Sequence, residues 1–270
     1  MIKQYILIVL LLAVGFKAVS QIGLSASPMK LEFSASRGGM QSLDVIVSNS
    51  GEEQVQVGVS LSDWKRDSMG VIHYYPVGSL KSSCSQWLKI LPNANFVLQP
   101  LEKKKVSVML KAADSAVTKS LNAMLFFTQL NPMKAARQKN GLNILLNVKL
   151  GVQIFYTPPG VSKKEVEIAG FNDTLLVHKD STKESALLLT LVNNGVVETD
   201  GKVNFELNNL QTGEKITLPE DKFYTLPGAV FKVVQVLPAG LKKGNYSATA
   251  LIDYGEDYEL KIAELEFKQD

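Results

Sequence analysis

The run Leu142 to Tyr156, LNILLNVKLGVQIFY, limits what this chain can fold into more than any other part of it. Every second residue, Leu142, Ile144, Leu146, Val148, Leu150, Val152 and Ile154, is apolar, and five of the seven residues between them are not. A period of two is the signature of a β-strand. At roughly 3.3 Å per residue, one unbroken strand would run on the order of 45 Å, well beyond the usual 17–20 Å. It is therefore expected to overhang its own sheet, and an apolar overhang is either a binding edge or a hazard. Thr157-Pro158-Pro159-Gly160 follows directly. Two prolines cannot donate to a ladder, so the strand must stop there and the chain must turn away.

The N-terminus reads as an export signal. Lys3 precedes an apolar run from Tyr5 to Phe16, and Ala18-Val19-Ser20 supplies small residues before Gln21. The run is too short to span a bilayer, so residues 1–20 are expected to be a cleaved signal peptide. No cysteine stands at the cleavage point to accept a lipid. The one cysteine in 270 residues, Cys84, cannot pair within the chain, so folding must rest on apolar burial. At 46% hydrophobic residues there is enough apolar material for two cores. Formal net charge is +3, and losing Lys3 and Lys17 with the leader leaves +1. The only basic run outside the leader, Lys103-Lys104-Lys105, is a solvated turn in this pattern, which excludes nucleic acid as the expected partner.

Short alternating segments separated by turn residues continue from Ile22 to the C-terminus, and no helical period is sustained. Leu43 to Val47 leads into Asn49-Ser50-Gly51 and then the alternation Val55, Val57, Val59, Leu61. After Pro159 the same grammar returns: Ala186 to Val192, then Asn193-Asn194-Gly195, then Val203 to Leu207. Strand, Asn-x-Gly turn, strand thus occurs once in each half. The expected architecture is all-β, with two immunoglobulin-like sandwiches of about seven strands each. The first covers residues 21–157 and the second 158–270.

The residues that catalysis needs are missing from the pattern. His73 and His178 fall in different halves without a neighbouring cysteine or carboxylate motif. Phosphate loops, HExxH and GxSxG do not occur. Asp253, Glu256, Asp257 and Glu259 surround Gly255, an arrangement open to calcium but equally that of a solvated hairpin turn. The expectation is a protein that is not an enzyme and needs no cofactor or metal. Two other readings stay open: a structural or adhesive envelope protein, and a carbohydrate binder using Trp64, Trp87 or Tyr254.

The order of several short motifs resembles the periplasmic pilus-assembly chaperones of the PapD-like superfamily. Those motifs are Ser27-Pro28-Met29-Lys30-Leu31-Glu32-Phe33, Val47-Ser48-Asn49, Leu98-Gln99-Pro100 before Val106-Ser107-Val108, Phe126-Phe127 ahead of Asn131-Pro132, and the closing Ile154-Phe155-Tyr156-Thr157-Pro158. The resemblance implies a chaperone that caps a secreted pilin-like or surface-assembly subunit by lending it an edge strand, with an outer-membrane assembly platform as a further partner. Backbone pairing would supply affinity and alternate side chains the register. It also implies that Ile144, Leu146 and Val148 are the donated side chains; otherwise the same three residues face this sandwich's own core. In the family two basic residues hold the subunit's C-terminal carboxylate. The first matches Lys30. The second position carries Gln153, which brings no charge, and Lys149 on the same face is the candidate substitute. Self-association through the exposed edge is also open.

Overall fold

The computed structural model describes residues 23–92, 95–131, 133–134 and 145–269, with the backbone course alone at 133–134 and 145–146. The expected leader and Ile144 lie outside the described residues. Among the described residues the regular structure is strand apart from a short 3-10 turn at Ser85–Trp87.

Twelve strands build the first half: β1 (Leu24–Ser27), β2 (Lys30–Phe33), β3 (Met40–Asn49), β4 (Val55–Arg66), β5 (Ile72–Tyr75), β6 (Leu88–Leu91), β7 (Phe96–Leu98), β8 (Lys103–Lys111), β9 (Leu121–Gln129), β10 (Met133–Lys134), β11 (Leu145–Leu146) and β12 (Lys149–Tyr156). One sheet has the order β1-β3-β8-β6, and the other β2-β12-β9-β4-β5 with β7 also on β4. The first strand segment is thus shared between the sheets: β1 pairs antiparallel with β3, and two residues later β2 pairs parallel with β12. Period two dictates the core. Val45, Val47, Val106, Val108 and Leu110 from one sheet meet Leu31, Phe33, Leu125, Phe127, Val152 and Ile154 from the other, all buried.

The second half contributes β13 (Val166–Val177), β14 (Lys183–Asn193), β15 (Thr199–Asn209), β16 (Lys215–Thr217), β17 (Asp221–Thr225), β18 (Val230–Val236), β19 (Gly244–Asp253) and β20 (Lys261–Gln269). They form the sheets β13-β14-β18 and β16-β15-β19-β20, with β17 also on β15. Leu187, Leu189, Leu191, Phe205, Leu207, Ala248 and Ile252 fill the space between them. Both halves are immunoglobulin-like sandwiches.

One expectation needs correction. Among the described residues the alternating run does not form a single strand: β12 begins at Lys149, Asn147 and Val148 lie outside any strand, and β11 pairs with β10. The cause lies in the hairpin's register. Lys149 faces Thr128 and Leu146 faces Met133, so the four positions 129–132 on one arm oppose the two positions 147–148 on the other, and a regular ladder cannot absorb that insertion. The stop after Tyr156 is as the prolines require: Thr157 N–H donates to Phe33 O at 2.9 Å, and a turn follows at Pro158–Val161.

The repeated Asn-x-Gly is one device used twice. Asn49 is buried at the end of β3; its Oδ1 accepts from Gly51 N–H at 3.0 Å and its Nδ2 donates to the carbonyls of Glu53 (2.7 Å) and Gln99 (3.1 Å). Asn193 at the end of β14 accepts from Gly195 N–H at 2.8 Å and donates to Val197 O (3.0 Å) and Thr225 O (3.3 Å). Glycine is required at 195, where a Cβ would sit 2.7 Å from Glu165 N and 2.8 Å from Lys163 O. Each side chain satisfies backbone groups that burial would otherwise orphan. Asn49→Ala and Asn193→Ala should therefore each lower unfolding stability by about 2–3 kcal/mol, against under about 0.5 kcal/mol for the exposed Asn194→Ala, as read from urea denaturation.

Candidate functional site

The site is built on the face of the β2-β12-β9-β4 sheet that looks away from the first core. On β12, Lys149, Gly151, Gln153 and Phe155 alternate with the core residues Leu150, Val152, Ile154 and Tyr156 and point to that face. On β9 it is reached by Met124 and Phe126, and on β4 by Trp64. Almost every residue of β9 is buried, because one of its faces fills the first sandwich and the other supports the second. Trp64, Met124, Phe126 and Phe155 form a separate apolar cluster, with Tyr224 and Leu226 of the second sandwich packed against it. Trp64 meets Phe155 edge-on with centroids 6.0 Å apart, and Tyr224 lies 6.3 Å from Phe155. Backbone bonds from Ser120 N–H to Val196 O (2.7 Å) and Lys232 N–H to Ser68 O (2.6 Å) also join the two sandwiches.

Lys30 and Gln153 are register partners across β2 and β12, so the structure brings these two candidates together. Lys149 is not with them. It sits four residues along β12, about 13 Å at the usual rise, with Nζ 3.8 Å from the Phe126 ring centroid. Lys30 Nζ lies over the Phe155 ring at 4.9 Å and pairs with Glu32 (2.5 Å) and Glu198 (3.6 Å). Partial burial works against its charge, yet Glu32, Glu198 and Asp200 raise the ammonium's pKa above the ordinary lysine value. Lys30 is thus already engaged by carboxylates of its own chain. Glu198 comes from the second sandwich with its side chain only 15% exposed, and its Oε2 is buried without a partner. Next to it, burial and then the Glu198 charge push the Tyr224 hydroxyl's pKa well up. Sequence reasoning missed Glu198, Tyr224 and Arg66. Their role depends on how the sandwiches meet, although the continuous apolar run of β9 in an otherwise alternating chain did mark a strand covered on both faces.

Of the three expected donor residues, Ile144 lies outside the described residues and Leu146 is placed by its backbone in β11. Val148 is half-buried and packs on the first sandwich's core. Pairing on the β2 side of β12 starts at Gln153, whose N–H donates to Met29 O at 2.9 Å. Over Lys149–Val152 that edge has no partner strand among the described residues. Backbone alternation turns the N–H and C=O of Lys149 and Gly151 onto it. At Gly151 a Cβ would stand 3.1 Å from Met124 Sδ and 3.2 Å from Phe126 Cε1, so glycine leaves room for both side chains beside the strand.

The remaining candidates fall elsewhere. Trp64 and Tyr254 are buried, the latter stacked on Tyr258, and half-buried Trp87 packs edge-on against Tyr156, so the three aromatics proposed for carbohydrate do not gather on one surface. His73 pairs with Asp67 at 2.8 Å and His178 with Glu184 at 2.9 Å, both on exposed hairpins. Asp253 Oδ1 accepts from Gly255 N–H at 3.1 Å within the β19–β20 hairpin. No group of three or more metal-ligating side chains gathers among the described residues.

With the geometry in hand, comparison with solved structures finds similarity along most of the chain. The chaperone–tip adhesin complex of CFA/I fimbriae biogenesis matches at 11% identity over 89% of this chain and 97% of that one, with a TM-score of 0.49. The CsuC–CsuE chaperone–tip adhesion subunit pre-assembly complex from the archaic Csu pili of Acinetobacter baumannii matches at 12% identity, with coverage of 89% and 97% and a TM-score of 0.48. The E. coli chaperone DraB matches at 15% identity, 92% and 96% coverage and a TM-score of 0.46. No family model matches the chain, and no curated protein does.

One buried carboxylate fixes the loop beside Trp64. Asp63 on β4 accepts from Ser83 Oγ at 2.6 Å, Ser85 Oγ at 2.5 Å and Leu80 N–H at 2.8 Å. Burial alone would raise its pKa, but these donors outweigh it and hold the carboxyl below its ordinary value of 3.8. The sign follows: a depressed pKa stabilises the fold above about pH 3.8, and that contribution is lost as pH falls through the folded-state value. Asp63→Asn should cost about 2 kcal/mol at pH 7 and flatten the loss of stability between pH 5 and pH 2, measured by urea midpoints across that range.

Proposed function

We propose that this chain is an exported, non-catalytic chaperone that lends its β12 edge to a secreted, pilin-like subunit. In this reading residues 1–20 direct export to the periplasm and are removed. Residues 21–157 form the subunit-binding domain, 158–270 close the other side of the cleft, and an outer-membrane assembly platform receives the loaded subunit. The observation that carries the reading is the unpaired edge over Lys149–Val152. It lies beside a two-sandwich cleft and continues in sequence into the apolar alternation Ile144, Leu146, Val148. An open edge in a closed sandwich offers backbone groups to an incoming strand, and alternate apolar side chains fill that strand's own incomplete core. Each such side chain buried contributes about 1.5–3 kcal/mol before ordering costs.

Charge plays the lesser part in this proposal. A subunit carboxylate arriving at Lys30 would have to displace Glu198, and Gln153 adds no second cation. Strand pairing therefore dominates binding. The test is co-purification of tagged residues 21–270 from the native envelope fraction, read by mass spectrometry. Leu146→Asp should lose the captured subunit at least tenfold with its circular dichroism unchanged, and Lys30→Gln should lose markedly less. A partner retained equally by Leu146→Asp, or capture abolished by Lys30→Gln alone, would reject strand donation as the main source of affinity. A dimer that forms through the same edge and is broken by Leu146→Asp without any captured subunit would assign the edge to self-association instead.

A further inference from the structure

The junction between the sandwiches has a second side, away from Lys30, and its chemistry is the reverse. There a cavity of about 550 Å³ opens between the end of β4, the loop at Lys81–Ser82, the start of β9 and the β17–β18 turn. That volume lies within the ordinary range for small-molecule sites. Four cations line it, Lys65, Arg66, Lys81 and Lys119, and no Asp or Glu does. The acids flanking Arg66 in sequence are committed elsewhere, Asp63 to Ser83 and Ser85, and Asp67 to His73 and the N–H groups of Met69 and Val71, while Glu198 and Arg66 both act on the Tyr224 hydroxyl. Lys65 rests with Nζ 5.3 Å from the Tyr75 ring, and no ion pair engages Lys81 or Lys119 among the described residues. Arg66 is held by the Trp64 and Tyr224 rings and donates Nη1 to Gly70 O at 2.8 Å, while its buried Nε has no partner. A buried guanidinium N–H without an acceptor is costly, and an oxyanion removes that cost. The opposite wall, made by Leu121, Leu226, Pro227 and Val230, is apolar.

We propose that this cavity binds an amphiphilic organic anion, a phosphate or carboxylate head on an apolar body, with the head at Arg66, Lys81 and Lys119 and the body against Leu226 and Val230. The site is independent of the β12 edge and of the strand-donation reading. The decisive experiment is isothermal titration of residues 21–270 with three probes, each below its micelle concentration: octyl phosphate, octyl glucoside and inorganic pyrophosphate. Octyl phosphate is expected to bind saturably at one site and at least tenfold more tightly than either of the others. Lys81→Glu combined with Lys119→Glu should weaken it tenfold or more while leaving the urea midpoint unchanged. Val230→Ser supplies the apolar arm without adding charge and should weaken octyl phosphate but not pyrophosphate. Absence of saturable binding overturns the proposal. So does octyl phosphate binding that the double variant leaves intact, or pyrophosphate binding as tight as octyl phosphate. Octyl glucoside matching octyl phosphate likewise overturns it.

Discussion

The contact on which the rest of this molecule depends is the aromatic junction of Trp64, Phe155 and Tyr224. It gives the first sandwich's second sheet something apolar to bury on its outer face, and it sets the angle at which the second sandwich stands. Trp64 is anchored from within its own sheet, with Nε1 donating to Ala123 O at 2.9 Å and its carbonyl accepting from Asn122 Nδ2 at 2.9 Å. A fully buried tryptophan tied through its indole N–H and its main-chain carbonyl is a rigid seat. Polar groups surround that seat: Lys30 with Glu32 and Glu198, and Arg66, which shares with Glu198 its action on the Tyr224 hydroxyl.

Each sandwich solves its own edge problem before the two meet. Sharing the first strand segment between both sheets covers the β3 edge with β1 and part of the β12 edge with β2, and among the described residues Lys149–Val152 of that β12 edge stays without a partner strand. In the second sandwich a bulge between Ile168 and Gly170 lets β13 follow β14 along nearly its whole length. The buried asparagines Asn49 and Asn193 close equivalent strand ends by equivalent bonds, so the two halves are built on one plan even though their sheets differ in size.

Much of this was legible in the residues. Alternation placed β3, β4, β14 and β15, the prolines placed the exit after Tyr156, and the paired Asn-x-Gly turns announced the repeated plan. Features set by partners in space were not. The bulge at Ala169 shifts the alternation of Val166 to Val177 by one residue, which hid β13 from a period-two reading. The apolar run before Tyr156 looked continuous because periodicity cannot register that the opposing hairpin arm holds extra residues. At the site, Lys30 and Gln153 could be placed together from their motifs. Glu198, more than forty residues beyond, could not, since nothing near it in sequence says that it reaches back to Lys30.

The burial of Cys84 carries a last consequence. Its backbone N–H is tied to Asn122 O at 3.2 Å, its side chain is sealed in the first core, and desolvation pushes the thiol's pKa up to about 12. At neutral pH the thiolate fraction is then on the order of one in 10⁵, and it is the thiolate that attacks disulfides and oxidants. A folded molecule therefore takes no part in thiol exchange, whereas an unfolded one exposes an ordinary reactive cysteine. In an oxidising compartment that difference turns Cys84 into a time limit on folding: chains that close the core quickly keep a free thiol, and slow ones are diverted into mixed disulfides.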